Sequence, residues 1–105
     1  MAFKEKYEQE LSLSILREIE NIPDQKSLAQ SLGCSVGKTN YIIKELVKKG
    51  LVKTKRFIKS NNKKGYRYLL TKKGLEEKIR LTKVFIEIKK KEYEELQREL
   101  YKDKI

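Results

Sequence analysis

Residues 24–50, DQKSLAQSLGCSVGKTNYIIKELVKKG, constrain this chain more than any other stretch. Asp24 is a side chain of the helix N-cap type, whose oxygens accept the backbone N–H groups a helix start leaves unpaired. Leu28, Ala29 and Leu32 follow at helical spacing and predict a short helix over about 25–32 with those three inward. Ala29 is small, as a close helix–helix contact requires. Gly33 suits the left-handed position that ends a helix, where a Cβ is costly. Cys34 then supplies a small apolar residue and Ser35 a second cap. The next helix is predicted over 36–49, with Thr39, Ile43 and Leu46 on its core face and Gly50 as its terminator. Helix, glycine turn and capped helix in this order form the pattern of a helix-turn-helix.

The flanks extend the pattern. Over 4–20, Tyr7, Leu11, Ile15 and Ile19 recur every four residues and Leu16 widens the stripe, which predicts a first helix stopped by Asn21 and Pro23. Leu51 to Ile58 alternates loosely and reads as a strand. Lys59 to Gly65 is rich in turn formers (Ser60, Asn61, Asn62, Gly65), and Tyr66 to Leu70 is the returning strand. Thr71 caps a last helix from about 72 to near the C-terminus. The expected fold class is mostly α with a small β-hairpin wing: a winged helix-turn-helix over 1–71 and a long C-terminal dimerisation helix over 72–105.

Charge singles out the middle third. The chain carries a formal +11, and residues 35–70 hold eleven Lys/Arg against one acidic residue, whereas residues 1–34 are net negative. A surplus so concentrated points to a polyanionic partner. The core face of the 36–49 helix leaves Val36, Gly37, Lys38, Asn40, Tyr41 and Lys44 outward near the capped end at Ser35. Asn40 suits adenine, Lys38 and Lys44 suit guanine or phosphate, and Val36 suits a thymine methyl. Gly37, a poor helix former, suits a spot of close backbone approach. Lys59, Lys63 and Lys64 crowd the hairpin tip between Arg56 and Arg67, which a phosphate backbone or minor groove would offset. The plainer alternative is a solvated hairpin whose lysines prevent edge pairing.

In the last helix, Leu75, Ile79, Leu81, Val84, Phe85, Ile86 and Ile88 give a wide apolar surface. Ile79, Ile86, Tyr93 and Leu100 are spaced by seven, with Leu75, Thr82, Lys89 and Leu96 beside them, a heptad-like seam broken at Lys89. Leu75 and Ile79 are expected in the chain's own core. Phe85, Ile86, Ile88, Tyr93, Leu96 and Leu100 are assigned to a homodimer contact.

The absences matter as well. There is no histidine and one cysteine, so no zinc finger or intrachain disulfide is expected, and no metal or cofactor. Cys34 is expected to be buried rather than redox-active. No apolar run reaches membrane-spanning length and the N-terminus lacks a signal peptide's apolar core, so a cytoplasmic, non-membrane protein is expected. Nucleophile motifs and phosphate-cradling loops are missing, which argues against an enzyme.

SLAQSLGCSVGKTNYIIKELVKKGLVK, a basic wing, YLLTKKGLEEK and a long helix together resemble the MarR-type winged-helix transcriptional regulators, over about residues 8–95. The short length and GYRYLLTKKGLEEKIRLTKVFI resemble especially the subgroup associated with exopolysaccharide gene clusters. The resemblance implies a helix over 36–49 reading the major groove of double-stranded DNA, a wing at the adjacent minor groove, and a homodimer. Two departures stand out. Little precedes the first helix, so the cleft that holds phenolic effectors in some members is expected to be absent and any effector is unknown. Lysines replace the frequent wing-tip arginine. Three functions remain open at this stage: a sequence-specific DNA-binding regulator, a sequence-tolerant architectural or RNA-binding protein, and a protein–protein module.

Overall fold

Three side-chain caps set where the helices begin. Asp24 Oδ1 accepts the Ser27 N–H at 2.7 Å, Ser35 Oγ accepts the Lys38 N–H at 3.0 Å, and Thr71 Oγ1 accepts the Gly74 N–H at 2.9 Å. In the computed structural model, which describes residues 3–22, 24–58 and 64–104 and the side chains of 5–22, 24–56 and 67–104, these caps open helices α2 (Gln25–Leu32), α3 (Val36–Lys48) and α4 (Lys72–Asp103). α1 spans Phe3–Glu18, two residues short of the expected end, and Pro23 lies outside the described residues. Gly33 and Gly50 both take positive φ, 67° and 76°, at helix exits, as their positions require.

Strands β1 (Val52–Ile58) and β2 (Lys64–Leu70) pair antiparallel, with Val52 opposite Leu70 and Ile58 opposite Lys64. The ladder therefore runs further than expected. Lys64 and Gly65, assigned above to the turn, pair with Ile58 and Phe57, because backbone groups that can find partners extend the sheet. Lys59 to Lys63 lie outside the described residues.

The core collects Leu11, Ile15, Leu16 and Ile19 of α1, Leu28 of α2, Ile42, Ile43 and Leu46 of α3, then Leu51, Val52, Leu81 and Phe85. Leu13 of α1 and Ile42 of α3 are buried beyond the expected stripes, because α1 meets α2, α3 and α4 and α3 meets α1, α2 and β1, so each buries more than one row of its surface. Tyr7, one turn before the core begins, is half-exposed. Thr39 is fully buried. Its hydroxyl donates to the Ser35 carbonyl at 2.9 Å and meets the Cys34 sulfur at 2.9 Å, so it ties the turn to the helix it precedes. Cys34 itself is only partly buried.

α4 carries two apolar stripes, and they divide differently from expectation. The inner stripe is Gly74, Leu81, Phe85 and the partly buried Ile88. Phe85 and Ile88, assigned above to a dimer contact, thus pack in the chain's own core, and Phe85 is 5% exposed. Leu75 and Ile79, expected inside, are about half-exposed because they lie about a third of a turn away on the outer stripe with Ile86, Tyr93 and Leu100. The polar break at Lys89 has a local cause. Lys89 pairs with Glu10 of α1 at 3.2 Å and with Glu92 at 3.7 Å, and Glu92 takes Lys6 at 2.9 Å. The hydrogen bond to Glu10 raises the Lys89 pKa, and the hydrogen bond from Lys6 holds the Glu92 carboxyl low. The Glu92 contribution is present above the unfolded carboxylate pKa and is lost as pH falls through the folded one. In so exposed a network it is small.

Gly74 shows how tightly α4 is seated. A Cβ there would lie 1.9 Å from the Leu51 carbonyl oxygen, an oxygen that also accepts the Thr71 N–H at 3.1 Å. Inside an ordinary helix, glycine to alanine stabilises by roughly 0.8–1 kcal/mol. Here the obstacle is backbone, so Gly74→Ala should instead destabilise by about 1–3 kcal/mol, as overpacked sites do. Urea denaturation of the two proteins decides the sign.

Candidate nucleic-acid interface

The buried side of α3 is Thr39, Ile42, Ile43 and Leu46. Its helical opposite is Gly37, Tyr41, Lys44 and Lys48, all exposed. Val36 (48% exposed) and Asn40 flank this face on one edge, and Lys38 flanks it on the other. Ser35 is engaged as the cap. The outward set anticipated from sequence is therefore outward, with two members held by other elements. Lys38 Nζ pairs with Glu8 of α1 at 3.2 Å and sits 5.3 Å from the Tyr41 ring centroid. Asn40 Oδ1 accepts from Gln25 Nε2 of α2 at 3.2 Å. Lys48 was not singled out in the sequence, although its spacing of four from Lys44 and seven from Tyr41 marks it.

Apart from the adjoining backbone of its own helix, no atom of the described residues lies within 4 Å of where a Cβ on Gly37 would stand. The close approach suggested by a glycine in this helix is thus not to any other described element of the protein. Gly37→Ala should raise thermal stability slightly, by up to about 1 kcal/mol. If α3 lies against DNA, the same change should weaken duplex binding. Calorimetric melting and a binding titration on one preparation check both halves.

The hairpin sorts its charges by the two-residue alternation of strands. Val52, Thr54 and Arg56 share one face, and Lys53 and Lys55 share the other with Arg67, because Lys55 stands directly opposite Arg67. Arg56 and Arg67, grouped above as flanks of the loop, thus project from opposite faces, and both are exposed. Lys53 and Lys55 were missed. The two-residue alternation away from the inward-facing Val52 would have marked them as outward. The backbone of Lys64 is in β2, whereas Lys59 and Lys63 fall outside the described residues.

Gln25 links the outward face of α3 to the hairpin. Gln25 Nε2 also donates to the Tyr68 hydroxyl oxygen on β2 at 3.0 Å, so α2, α3 and β2 meet at a single amide. On the far side, an open groove of about 520 Å³ runs between α1 and α4 over Leu13, Phe85 and Ile86, with Arg17, Lys78 and Lys89 at its edges. Among the described residues no group of His, Cys, Asp or Glu side chains could hold a metal ion, and no helix is long and apolar enough to cross a membrane.

Comparison with known proteins agrees with this geometry. The profile of a family described as winged helix-turn-helix DNA-binding matches residues 9–53, from α1 through α3 to the start of β1. No curated protein matches the chain by sequence. Among solved structures, a Thermoplasma acidophilum protein described as a transcriptional regulator, TA0346, is similar with a TM-score of 0.66 at 18% identity, covering 90% of this chain and 96% of that one. The Staphylococcus aureus MepR–DNA complex is similar with a TM-score of 0.58 at 20% identity, covering 93% and 78%. The transcriptional regulator PcaV of Streptomyces coelicolor, in complex with its natural ligand, has a TM-score of 0.51 at 16% identity, covering 88% and 73%. The chain therefore has the winged helix-turn-helix fold, with α2 and α3 as its paired helices and the β1–β2 hairpin as its wing.

Proposed function

We propose that this protein is a sequence-specific DNA-binding transcription regulator of the MarR type, acting as a homodimer in the cytoplasm. α3 enters the major groove and the wing follows the neighbouring backbone or minor groove. One observation carries this reading. Residues 35–70 carry a surplus of ten positive charges, and the described part of this stretch forms α3 and the β1–β2 ladder, linked through Gln25. A helix and a ribbon, both basic and adjacent, match two grooves of one duplex. The similarity to MepR, whose structure holds DNA, supports it. The exopolysaccharide-associated subgroup is proposed on the motif resemblance alone.

A sequence-tolerant binder would need the lysines but not Val36, Asn40 or Tyr41. Competition among a duplex carrying the preferred site, random duplex, single strands and RNA separates the two. Asn40→Ala should cost roughly 1–3 kcal/mol on the preferred duplex and little on random DNA. An equal loss on both would make Asn40 a backbone contact or a structural residue.

A further inference from the structure

Gln25 is the first residue of α2, directly after the Asp24 cap, and its amide nitrogen has two hydrogens. One goes to Asn40 Oδ1 at 3.2 Å and the other to the Tyr68 hydroxyl oxygen at 3.0 Å. All three side chains are half-buried. A primary amide presents an acceptor at one end and donors at the other. With its oxygen turned toward Gln25, Asn40 has its Nδ2 directed away from Gln25. The opposite arrangement needs both amides to turn together, with Gln25 Oε1 accepting from Asn40 Nδ2. Tyr68 can serve either one, since a phenol both donates and accepts. The orientations of the two amides are therefore coupled, and in this structure Gln25 donates and Asn40 accepts.

We propose that Gln25 is a specificity-determining positioning residue. It holds the Asn40 amide with its donor end toward the bases, so that this position of the site is read by its acceptors. Guanine offers O6 and N7 there, whereas cytosine offers only its N4 donor. The preferred base is then guanine over cytosine on the strand facing Asn40. The inference rests on α3 being the DNA-reading helix.

The test uses the full-length chain and a panel of duplexes carrying all four base pairs at each position of the preferred site. The position read by Asn40 is the one whose preference disappears in Asn40→Ala. Wild type should favour G·C over C·G there by at least about fivefold, the low end of what one good base contact discriminates. Gln25→Glu offers only acceptors, so Asn40 must turn its nitrogen inward, and the preference should reverse to C·G. The added negative charge lowers affinity for every duplex alike and leaves the ratio readable. Gln25→Leu should bring the ratio toward one, and Tyr68→Phe, which removes a single oxygen, should shift it the same way. Unchanged ratios in these variants, with or without a general loss of affinity, would make Gln25 a structural residue and overturn the proposal while leaving DNA reading intact. A wild-type preference for cytosine at that position would overturn it too. A wild type with no base preference anywhere would overturn the DNA-reading function as well.

Discussion

Duplex affinity should drop on the order of a thousand-fold or more between about 50 and 200 mM salt, the loss expected when six to ten phosphates are neutralised per dimer. Each chain carries exposed cations placed to contribute. Lys44 and Lys48 are exposed on α3, and Lys53, Lys55 and Arg67 share one face of the wing. Lys55 stands opposite Arg67 across the ladder, so the two side chains share that face. Removing Lys63 and Lys64 together, by alanine, should lower the slope of log affinity against log salt by about one per lost contact and leave sequence preference unchanged. Affinity that stays flat with salt would contradict the electrostatic account of both α3 and the wing.

Polar replacement of Leu96 and Leu100 together should convert a dimer into a monomer and abolish tight site binding. α4 is about 48 Å long at 1.5 Å per residue, and its buried residues end at Phe85, near its middle. The chain measures 67 × 26 × 20 Å, and its radius of gyration of 17.4 Å exceeds the roughly 13 Å of a compact domain this size. The excess is α4. Tyr93, Leu96, Leu100 and Tyr101 are all more than 60% exposed along it, continuing the outer stripe of Ile79 and Ile86. Apolar surface of that extent on a projecting helix is what a partner helix covers. The ionic network at Lys89 interrupts the stripe only where α1 passes. One winged helix covers a half-site, so losing the partner should remove tight binding to the full site while leaving weak general affinity for DNA. Sedimentation at micromolar concentration should find the wild type dimeric and the double variant monomeric. A wild-type monomer that binds its site tightly would refute this assignment.

The helix-turn-helix was readable because its signals are local. Asp24, Gly33, Ser35, Gly50 and Thr71 each act within a few residues of the backbone groups they satisfy, and each sits where the sequence put it. What escaped depends on distant neighbours. Nothing in LTKKG shows that Gly74 faces the Leu51 carbonyl, and nothing near Lys89 shows that Glu10 lies opposite. The apolar residues of α4 were correctly seen as abundant, but their division depends on which stripe α1 touches. Phe85 therefore moved into the chain's core and Ile79 out of it. In the candidate site the outward face of α3 followed from periodicity. The pairing of Lys38 with Glu8, and of Gln25 with Asn40 and Tyr68, required the tertiary fold.

Selection of bound duplexes from a random pool tests the central claim most directly. A dimer of winged helices should enrich a two-fold-symmetric sequence whose half-sites lie about one helical turn apart, roughly 10 base pairs centre to centre. Single strands and RNA should fail to displace it. A pool that remains unenriched after repeated selection, while the protein still binds nucleic acid, would contradict sequence-specific regulation and leave the sequence-tolerant reading in its place.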